Sequence, residues 1–330
     1  MGQAGPVVSV VTPFYNTAEF LAECIESVLG QTLGDFEYVL ADNASTDGSG
    51  DIAEEYARKD PRIRLLRFDE HIGQIPNYNR ALRHADGSAR YCKIAQADDF
   101  LLPDCLEQMV ALADTDPGIV LVGAYAIVQD HVYLNGLDYY RRVLPGDELC
   151  RWYLRDGPYL FGSPTTHMYR MADVKADDPF YSETTPFADA DVAMRLLLHG
   201  KFGFVHRTLT FVRTSNESIS SEIEHFDTEA LTRRVLLEKY GSRLLEPREF
   251  ERLRRREAAR HHRRLGEAML RRYPETYWEL HERGAADAGF RITRTGLYAG
   301  AVARVLEWVG HPLRTTRNLW RRIAPGRAGA

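Results

Sequence analysis

The chain has 330 residues, 44% of them hydrophobic and 27% charged, which is the composition of an ordinary globular protein. No apolar run reaches the roughly 18 residues that a membrane-spanning helix needs. Residues 226–330 carry 23 Lys and Arg against 13 Asp and Glu, whereas residues 1–225 carry 19 against 34, so the acidic part argues against nucleic acid as the main partner.

Strands and helices are predicted to alternate along the first part of the chain. Five runs rich in β-branched residues predict buried strands, at residues 7–14, 36–42, 63–68, 89–95 and 118–129. Four segments with apolar residues at helical spacing lie between them, at about residues 17–30, 47–59, 75–87 and 103–116. This alternation is typical of an α/β fold with a mostly parallel sheet flanked by helices.

Three polar segments directly follow predicted strands. They read TPFYN, ADNASTDGS and QADDF. Because ligands of such sheets bind beyond the carboxyl ends of the strands, we expect the three segments to line one crevice. The adjacent carboxylates of Asp98 and Asp99 would then face that crevice, although taken alone they could equally be a solvated acidic turn.

The amino-acid composition changes after about residue 226. The segment from there onward is rich in Arg, Leu and Glu with helical periodicity, which predicts two or three helices. We therefore expect a catalytic domain in residues 1–225 and a basic, mainly helical region in residues 226–330.

The last part of that region, residues 289–330, leaves two interpretations open. An apolar segment, GLYAGAVARVLEWVG, is followed by the arginine-rich RTTRNLWRRIAPGR. Such a pairing is typical of a helix in a membrane interface, but it also suits a helix packed back on its domain or a homodimer contact.

The four cysteines, at positions 24, 92, 105 and 150, form no CxxC pair and match no metal spacing. The sequence opens on a predicted strand and not on a signal peptide. We therefore expect reduced thiols and a cytoplasmic location, including a peripheral position at the inner face of the membrane if the C-terminal segment contacts lipid.

Common phosphate-binding loops are missing from the predicted crevice. The first strand is followed by TPFYN and not by GxGxxG, and GxxxxGK[ST] is also absent. A bound diphosphate would therefore need another counter-charge. A divalent cation held by Asp98 and Asp99 would supply it, because carboxylates and phosphates are the ligands that Mg²⁺ and Mn²⁺ prefer.

Six segments in register carry a family resemblance. They are VSVVTPFYN, ADNASTDGS, HIGQIPNYNRALRHADG, QADDFLLPD, GSPTTHMYR and DADVAMRLLLHG. In this order and at this spacing the chain resembles the inverting family 2 glycosyltransferases, which have a GT-A fold, over about residues 6–221. The resemblance implies a nucleotide-sugar donor, with UDP, dTDP or GDP as carrier, and an acceptor that is a glycan, a lipid-linked sugar or a small metabolite.

The resemblance also implies which residues bind the donor. Thr12, Pro13 and Tyr15 would line the base pocket, and Asp42 or Asn43 would hydrogen-bond the base or the ribose. Asn79 and Arg213 belong to motifs of the same donor site. Asp99 would bind Mg²⁺ or Mn²⁺, and Asp98 would bind ribose or metal. Gln96 replaces the first Asp of the family's metal motif, Asp-x-Asp-Asp.

An inverting transfer needs a base on the acceptor side of the sugar. By the resemblance, Arg195 sets the register of the last motif and selects Asp189, with Asp191 as the fallback. Ala188 replaces the usual Glu before it, and Ser215 replaces a usual His after Arg213. A bland alternative is that Asp189 only caps a helix.

Those three replacements leave a rival hypothesis open, in which the chain binds a nucleotide sugar as a scaffold without transferring it. A nucleotidyltransferase of similar topology would need a phosphate loop rich in Gly and Lys near the N-terminus, and the sequence has none.

Overall fold

A computed structural model of the chain describes residues 5–213 and 228–310. The chain divides into two compact units, with the division between residues 225 and 226. All four cysteines are buried and none forms a disulfide. Within the described ranges, no helix combines the length and the apolar character needed to cross a bilayer.

The first unit is built on one ten-stranded sheet. Its strands are β1 (Val8–Phe14), β2 (Phe36–Asp42), β3 (Ile63–Arg67), β4 (Tyr91–Ile94), β5 (Phe100–Leu101), β6 (Ile119–Val128), β7 (His131–Tyr133), β8 (Val143–Pro145), β9 (His167–Arg170) and β10 (Lys201–Val212). Its helices are α1 (Ala18–Leu29), α2 (Ser49–Lys59), α3 (Gln74–Arg83), α4 (Cys105–Ala113), α5 (Gly146–Leu154), α6 (Met171–Ala176) and α7 (Ala188–Leu197), with one 3₁₀ turn at Pro164–Thr166.

The strand order is β3-β2-β1-β4-β9-β6-β10-β5, with β7 beside β6 and β8 beside β10. The first four strands are parallel, as the alternation predicts, and β6 and β10 form a second parallel pair. The predicted α/β class is therefore confirmed. The sheet is more mixed than predicted, because β9 runs antiparallel between β4 and β6.

The core explains why the central strand is apolar throughout. All seven residues of β1 are buried, since helices cover the strand on its two faces. Val8 and Val10 pack in a cluster with Leu21 and Ile25 of α1 and Met109 of α4. Because β1 pairs in parallel with β2 and with β4, the carboxyl ends of these three buried strands lie at the same end of the sheet.

A buried lysine joins the centre of the sheet to the 3₁₀ turn. Lys93 of β4 is fully buried, and its ammonium group donates to the carbonyls of Thr165 and His167, the latter over 3.0 Å. Burial lowers the pKa of Lys93. Hydrogen bonds to these two carbonyls offset the free energy that removing the ammonium from water costs, and they hold Thr165 at the end of β4.

The second unit consists of the helices α8 (Glu229–Leu244), α9 (Pro247–Leu270), α10 (Glu275–Asp287) and α11 (Arg294–Gly310). A buried hydrogen-bonded chain links three of them. Arg234 lies 2.9 Å from His261 Nδ1, and His261 Nε2 lies 2.7 Å from His281 Nδ1. Burial lowers the pKa of His261 to about 2 and that of His281 to about 4, so both imidazoles are neutral at physiological pH.

Helices α9 and α11 approach each other closely at glycines. A Cβ atom on Gly266 would lie 2.2 Å from the backbone nitrogen of Ala301, and one on Gly300 would lie 2.0 Å from the carbonyl oxygen of His262. Because the obstructing atoms belong to backbone, they cannot move aside without separating the helices.

We expect Gly266→Ala to destabilise the second unit by about 1–3 kcal/mol, because the added methyl group drives α9 away from α11. Urea unfolding of the full chain, followed by circular dichroism, measures this. Arg255→Ala, at an exposed position of the same helix, is the control and should change stability by less than about 0.5 kcal/mol. Equal midpoints for the two variants would contradict the close packing.

Candidate functional site

The candidate site lies at the end of the sheet that the carboxyl ends of β1, β2 and β4 form. Phe14, the last residue of β1, is paired with Asp42, the last residue of β2, and Val11 is paired with Ile94 at the end of β4. The polar segments that follow these strands therefore leave the sheet side by side. The segments that we expect to line one crevice therefore start next to one another.

Hydrogen bonds join the segment after β1 to the segment after β2. The side chain of Asn16 accepts from the backbone of Thr46 at 2.8 Å, and its own backbone N–H donates to the Ser45 hydroxyl at 3.1 Å. The carboxylate of Asp47 accepts from the backbone of Ala18 at 2.9 Å. The two segments form one wall of the crevice.

Of the residues predicted for the base pocket, Tyr15 alone is exposed, at 41%. Its ring centre lies 3.9 Å from that of His71, with the planes tilted by 38°. Thr12 and Pro13 are buried in β1, and the Thr12 hydroxyl is 3.0 Å from the phenol oxygen of Tyr38. Tyr15 and His71, which are both exposed, therefore offer an aromatic surface.

Asp42 and Asn43 are nearly fully buried, and their polar groups hold the backbone. Asp42 accepts from the Ser45 N–H at 2.9 Å. Asn43 donates to the Ile72 carbonyl at 2.7 Å and accepts from the Ile72 N–H at 3.0 Å. Asn43 thereby fixes the residue next to His71. The sequence contains His71 in the motif HIGQIPN, but only the structure pairs it with Tyr15.

Asn79 lies in α3 and is 2% exposed. It accepts from the Tyr181 N–H at 2.8 Å and donates to the Tyr181 carbonyl at 2.9 Å. Its amide is thus occupied by the segment that leads to α7. Asn79 thus holds this segment in place, and its contact with a donor stays a prediction.

Asp99 is buried, and both of its carboxylate oxygens accept protein hydrogen bonds. One accepts from the Thr165 hydroxyl at 2.5 Å, and the other from the Arg213 backbone N–H at 2.9 Å. Burial, and secondly the charge of Asp98, raise the pKa of Asp99. Asp99 therefore joins the loop after β4 to the 3₁₀ turn and to the end of β10.

Arg213 reinforces that junction from the other side. Its guanidinium donates to the Asp98 carbonyl at 2.6 Å and pairs with the Glu23 carboxylate. The same group lies 4.7 Å from the ring centre of Phe20, within cation–π range. These contacts orient Asp98, which is more exposed than Asp99. Ser215, two residues further on, lies outside the described residues.

Asp189 is the second residue of α7 and is partly exposed. Within residues 5–213 no group hydrogen-bonds its carboxylate, and burial raises its pKa to about 7. Burial raises the pKa of Tyr78, and the charges of Asp98, Asp189 and Asp99 raise it further.

Asp191 belongs to a different cavity. It is 5% exposed and lines a space of about 460 Å³ together with Asp177, Glu183 and Arg195. The guanidinium of Arg195 donates to the Phe180 carbonyl at 2.7 Å. Two residues along the helix from Asp189, Asp191 points away from the carboxylates at the crevice, as expected once the helix has begun at Ala188.

A divalent cation fits this arrangement only with help from a substrate. Among the residues described, no three His, Cys, Asp or Glu side chains are grouped closely enough to hold a metal ion. Both carboxylate oxygens of Asp99 accept hydrogen bonds from the protein, and Asp98 is the more exposed residue of the two. One such carboxylate combined with phosphate oxygens and water is an accepted ligand set for Mg²⁺.

The model of the family described as Glycosyl transferase family 2 matches residues 9–176. The glycosyltransferase GlyG of Streptococcus pneumoniae is 27% identical over 222 residues, which are 64% of this chain and 72% of the relative. The putative glycosyltransferase EpsE of Bacillus subtilis is 36% identical over 204 residues, 61% of this chain and 70% of the relative. Asp189 and Arg213 lie beyond the range that the family model matches.

Solved structures share the fold. S. aureus TarS 1–349 in complex with UDP-GlcNAc aligns with a TM-score of 0.61 at 17% identity, covering 92% of each chain. The mannosyltransferase PcManGT from Pyrobaculum calidifontis, in complex with GDP-Man and Mn²⁺, aligns with a TM-score of 0.53 at 16% identity, covering 95% of this chain and 84% of that one. The predicted GT-A class is therefore confirmed.

We expect Asp189→Asn to stabilise the protein above pH 7. In the folded chain the pKa of Asp189 is raised from 3.8 to about 7, so ionisation costs stability as pH rises through this window. Asn removes that cost, which we place at about 1–3 kcal/mol at pH 8. Unfolding in urea at pH 8 and at pH 4 measures the gain, which should vanish at pH 4. A gain of equal size at both pH values would contradict the burial of this carboxylate.

Proposed function

The chain belongs to glycosyl transferase family 2, and on that premise we propose that it transfers a sugar from a nucleoside diphosphate donor to an acceptor hydroxyl with inversion and with metal assistance. One observation carries the proposal. Burial raises the pKa of one carboxylate, Asp189, to about 7, whereas Asp98 and Asp99 belong to the loop after β4, at the carboxyl end of the parallel strands. The proposal therefore gives the role of base to Asp189 and the cation and diphosphate to Asp98 and Asp99.

The donor base would stack on the exposed surface of Tyr15 and His71. An aromatic surface at the mouth of the crevice offers stacking energy to any nucleobase, which agrees with a carrier that is UDP, dTDP or GDP. Asp42 and Asn43 support this surface through backbone contacts, and Thr12 and Pro13 are buried in β1. The diphosphate would then extend toward Asp98.

Asp98 would hold Mg²⁺ or Mn²⁺, and Asp99 would position it. When bound, a divalent cation neutralises charge that develops on a departing diphosphate. Asp99 and Arg213 keep the loop in place, because the Asp99 carboxylate joins three segments and the Arg213 guanidinium holds the Asp98 carbonyl. We propose Asp98 as the metal contact and the more deeply buried Asp99 as its support, whereas the sequence prediction gave the metal to Asp99 and gave Asp98 ribose or metal.

Asp189 would take the proton of the acceptor hydroxyl as that hydroxyl attacks the anomeric carbon. A general base is most effective when its pKa lies near the working pH, and burial raises the pKa of Asp189 to about 7. The acceptor would be a glycan, a lipid-linked sugar or a small metabolite. We assign this reaction to residues 1–225 and place it in the cytoplasm.

We expect Asp189→Asn to lower the transfer rate by about 10²-fold or more, because the amide cannot accept the proton. Binding of UDP or GDP with Mn²⁺, measured by calorimetry, should remain within about twofold. In the wild type, kcat/KM should rise with pH through about 7 as Asp189 ionises, and this limb should be lost in the variant.

Asp191→Asn is the matched control, since it removes a carboxylate from the same helix on the side of the other cavity, and it should retain most of the activity. Full activity of Asp189→Asn would remove this residue from the base role. Donor binding without transfer or hydrolysis by the wild type, in the presence of Mn²⁺, would favour the rival hypothesis of a scaffold.

We expect Asp98→Asn and Asp99→Asn to fail in different ways. Asp98→Asn should weaken Mn²⁺-dependent nucleoside diphosphate binding by about tenfold or more while leaving the unfolding temperature unchanged. Asp99→Asn should lower the free energy of unfolding by about 1–3 kcal/mol, because an amide cannot accept from Thr165 and Arg213 at both positions. Thermal unfolding with and without Mn²⁺ and UDP or GDP separates the two. Identical effects of both variants would contradict our division of roles.

A further inference from the structure

Helix α11 of the second unit has one face that is committed to its neighbour. Gly300 and Ala301 lie against the backbone of α9, as described above, and Ala301 is 6% exposed. Further along the same face, Arg304 forms an ion pair with Glu267 of α9 at 2.8 Å. Packing therefore accounts for this side of the helix.

The opposite face of α11 is apolar and exposed. We call it the α11 stripe and define it by five residues, each between 40% and 73% exposed: Tyr298, Val302, Val305, Leu306 and Val309. Their spacing of four, three, one and three residues places them within one face of about 100°. None of them is charged, and Arg304 and Glu307 lie on other sides of the helix.

Two positive charges lie where the stripe begins. Arg291 and Arg294 are exposed at the start of α11. The sequence that follows α11, residues 311–330, contains five Arg and neither Asp nor Glu. Contiguous apolar surface of this kind usually marks an interaction site, and the exposed arginines at its start favour an anionic partner.

We propose that the α11 stripe docks on an anionic lipid bilayer, with the helix lying in the plane of the interface. The apolar side chains would enter the boundary between head groups and acyl chains, and Arg291 and Arg294 would contact lipid phosphates. At 17 residues, with one face packed on α9, the helix is suited to lie on the bilayer and not to cross it.

The charges also favour lipid over a second copy of the chain. In a two-fold contact through the stripe, Arg291 and Arg294 of one copy would meet a stripe that has no carboxylate to pair with them. Charges left unpaired in a contact oppose association, whereas lipid phosphates neutralise them.

The test uses the full chain and vesicles of phosphatidylcholine, with and without phosphatidylglycerol, in a co-sedimentation assay without donor or acceptor. We expect binding to the anionic vesicles, weakened by added salt, and little binding to the neutral ones. Leu306→Glu should reduce the partition coefficient by about tenfold or more, because it places a carboxylate in the acyl boundary. Ala303→Glu, on the same helix and exposed but off the stripe, should stay within about twofold.

Val309→Glu is a second stripe variant, in case Leu306→Glu lowers the unfolding temperature, and it should behave in the same way. Equal loss of binding in Ala303→Glu and both stripe variants would overturn the proposal, because charge alone would then explain the effect. Absence of wild-type binding to anionic vesicles at low salt would also overturn it. A wild-type dimer that Leu306→Glu converts to a monomer, without vesicle binding, would assign the stripe to a second copy. Since no transfer reaction is measured, these outcomes are independent of the proposed activity.

Discussion

The buried carboxylate of Asp99 is the contact on which the rest of the site depends. By accepting from the Thr165 hydroxyl and from the Arg213 backbone, it joins three segments that are far apart in the sequence. The Lys93 ammonium donates to the Thr165 carbonyl, and the Arg213 guanidinium donates to the Asp98 carbonyl. These hydrogen bonds hold two of the three segments in place. A buried polar network is stable only when each of its groups has a hydrogen-bond partner. The position of Asp98 therefore depends on all of these contacts.

The two carboxylates with raised pKa values are raised for different reasons. Asp99 lies in the interior beside a like charge, and its hydrogen bonds partly offset the cost of ionisation. Asp189 has burial as the single cause, with no hydrogen bond from the part of the first unit that the structure describes. The carboxylate oxygens of Asp99 accept hydrogen bonds that hold the fold. The carboxylate of Asp189 accepts none from residues 5–213, so its lone pairs are available to accept a proton. Raised pKa values alone therefore do not identify a reacting group, and the hydrogen-bond partners make the distinction.

Periodicity was sufficient to predict the parallel half of the sheet, because β1, β2 and β4 are buried and helices of ordinary length separate the four strands β1 to β4. It could not predict β9, a four-residue strand whose antiparallel pairing with β4 and β6 depends on contacts distant in sequence. At the site, motif spacing predicted roles for Asp98, Asp99 and Asp189, which stay predictions. It could not show that the amides of Asn43 and Asn79 hydrogen-bond the backbone of Ile72 and Tyr181, since a sequence does not record which lone pairs are occupied. His71 was missed because its partner, Tyr15, is 56 positions away.

The seating of α11 on bare backbone has a geometric consequence. Side chains between helices allow a helix to roll about its own axis, since rotamers can change to follow it. Where Gly266 and Gly300 leave no side chain between α9 and α11, even a small roll drives backbone into backbone. The rotation of α11 about its own axis is therefore fixed, so the same side chains always form its outer surface.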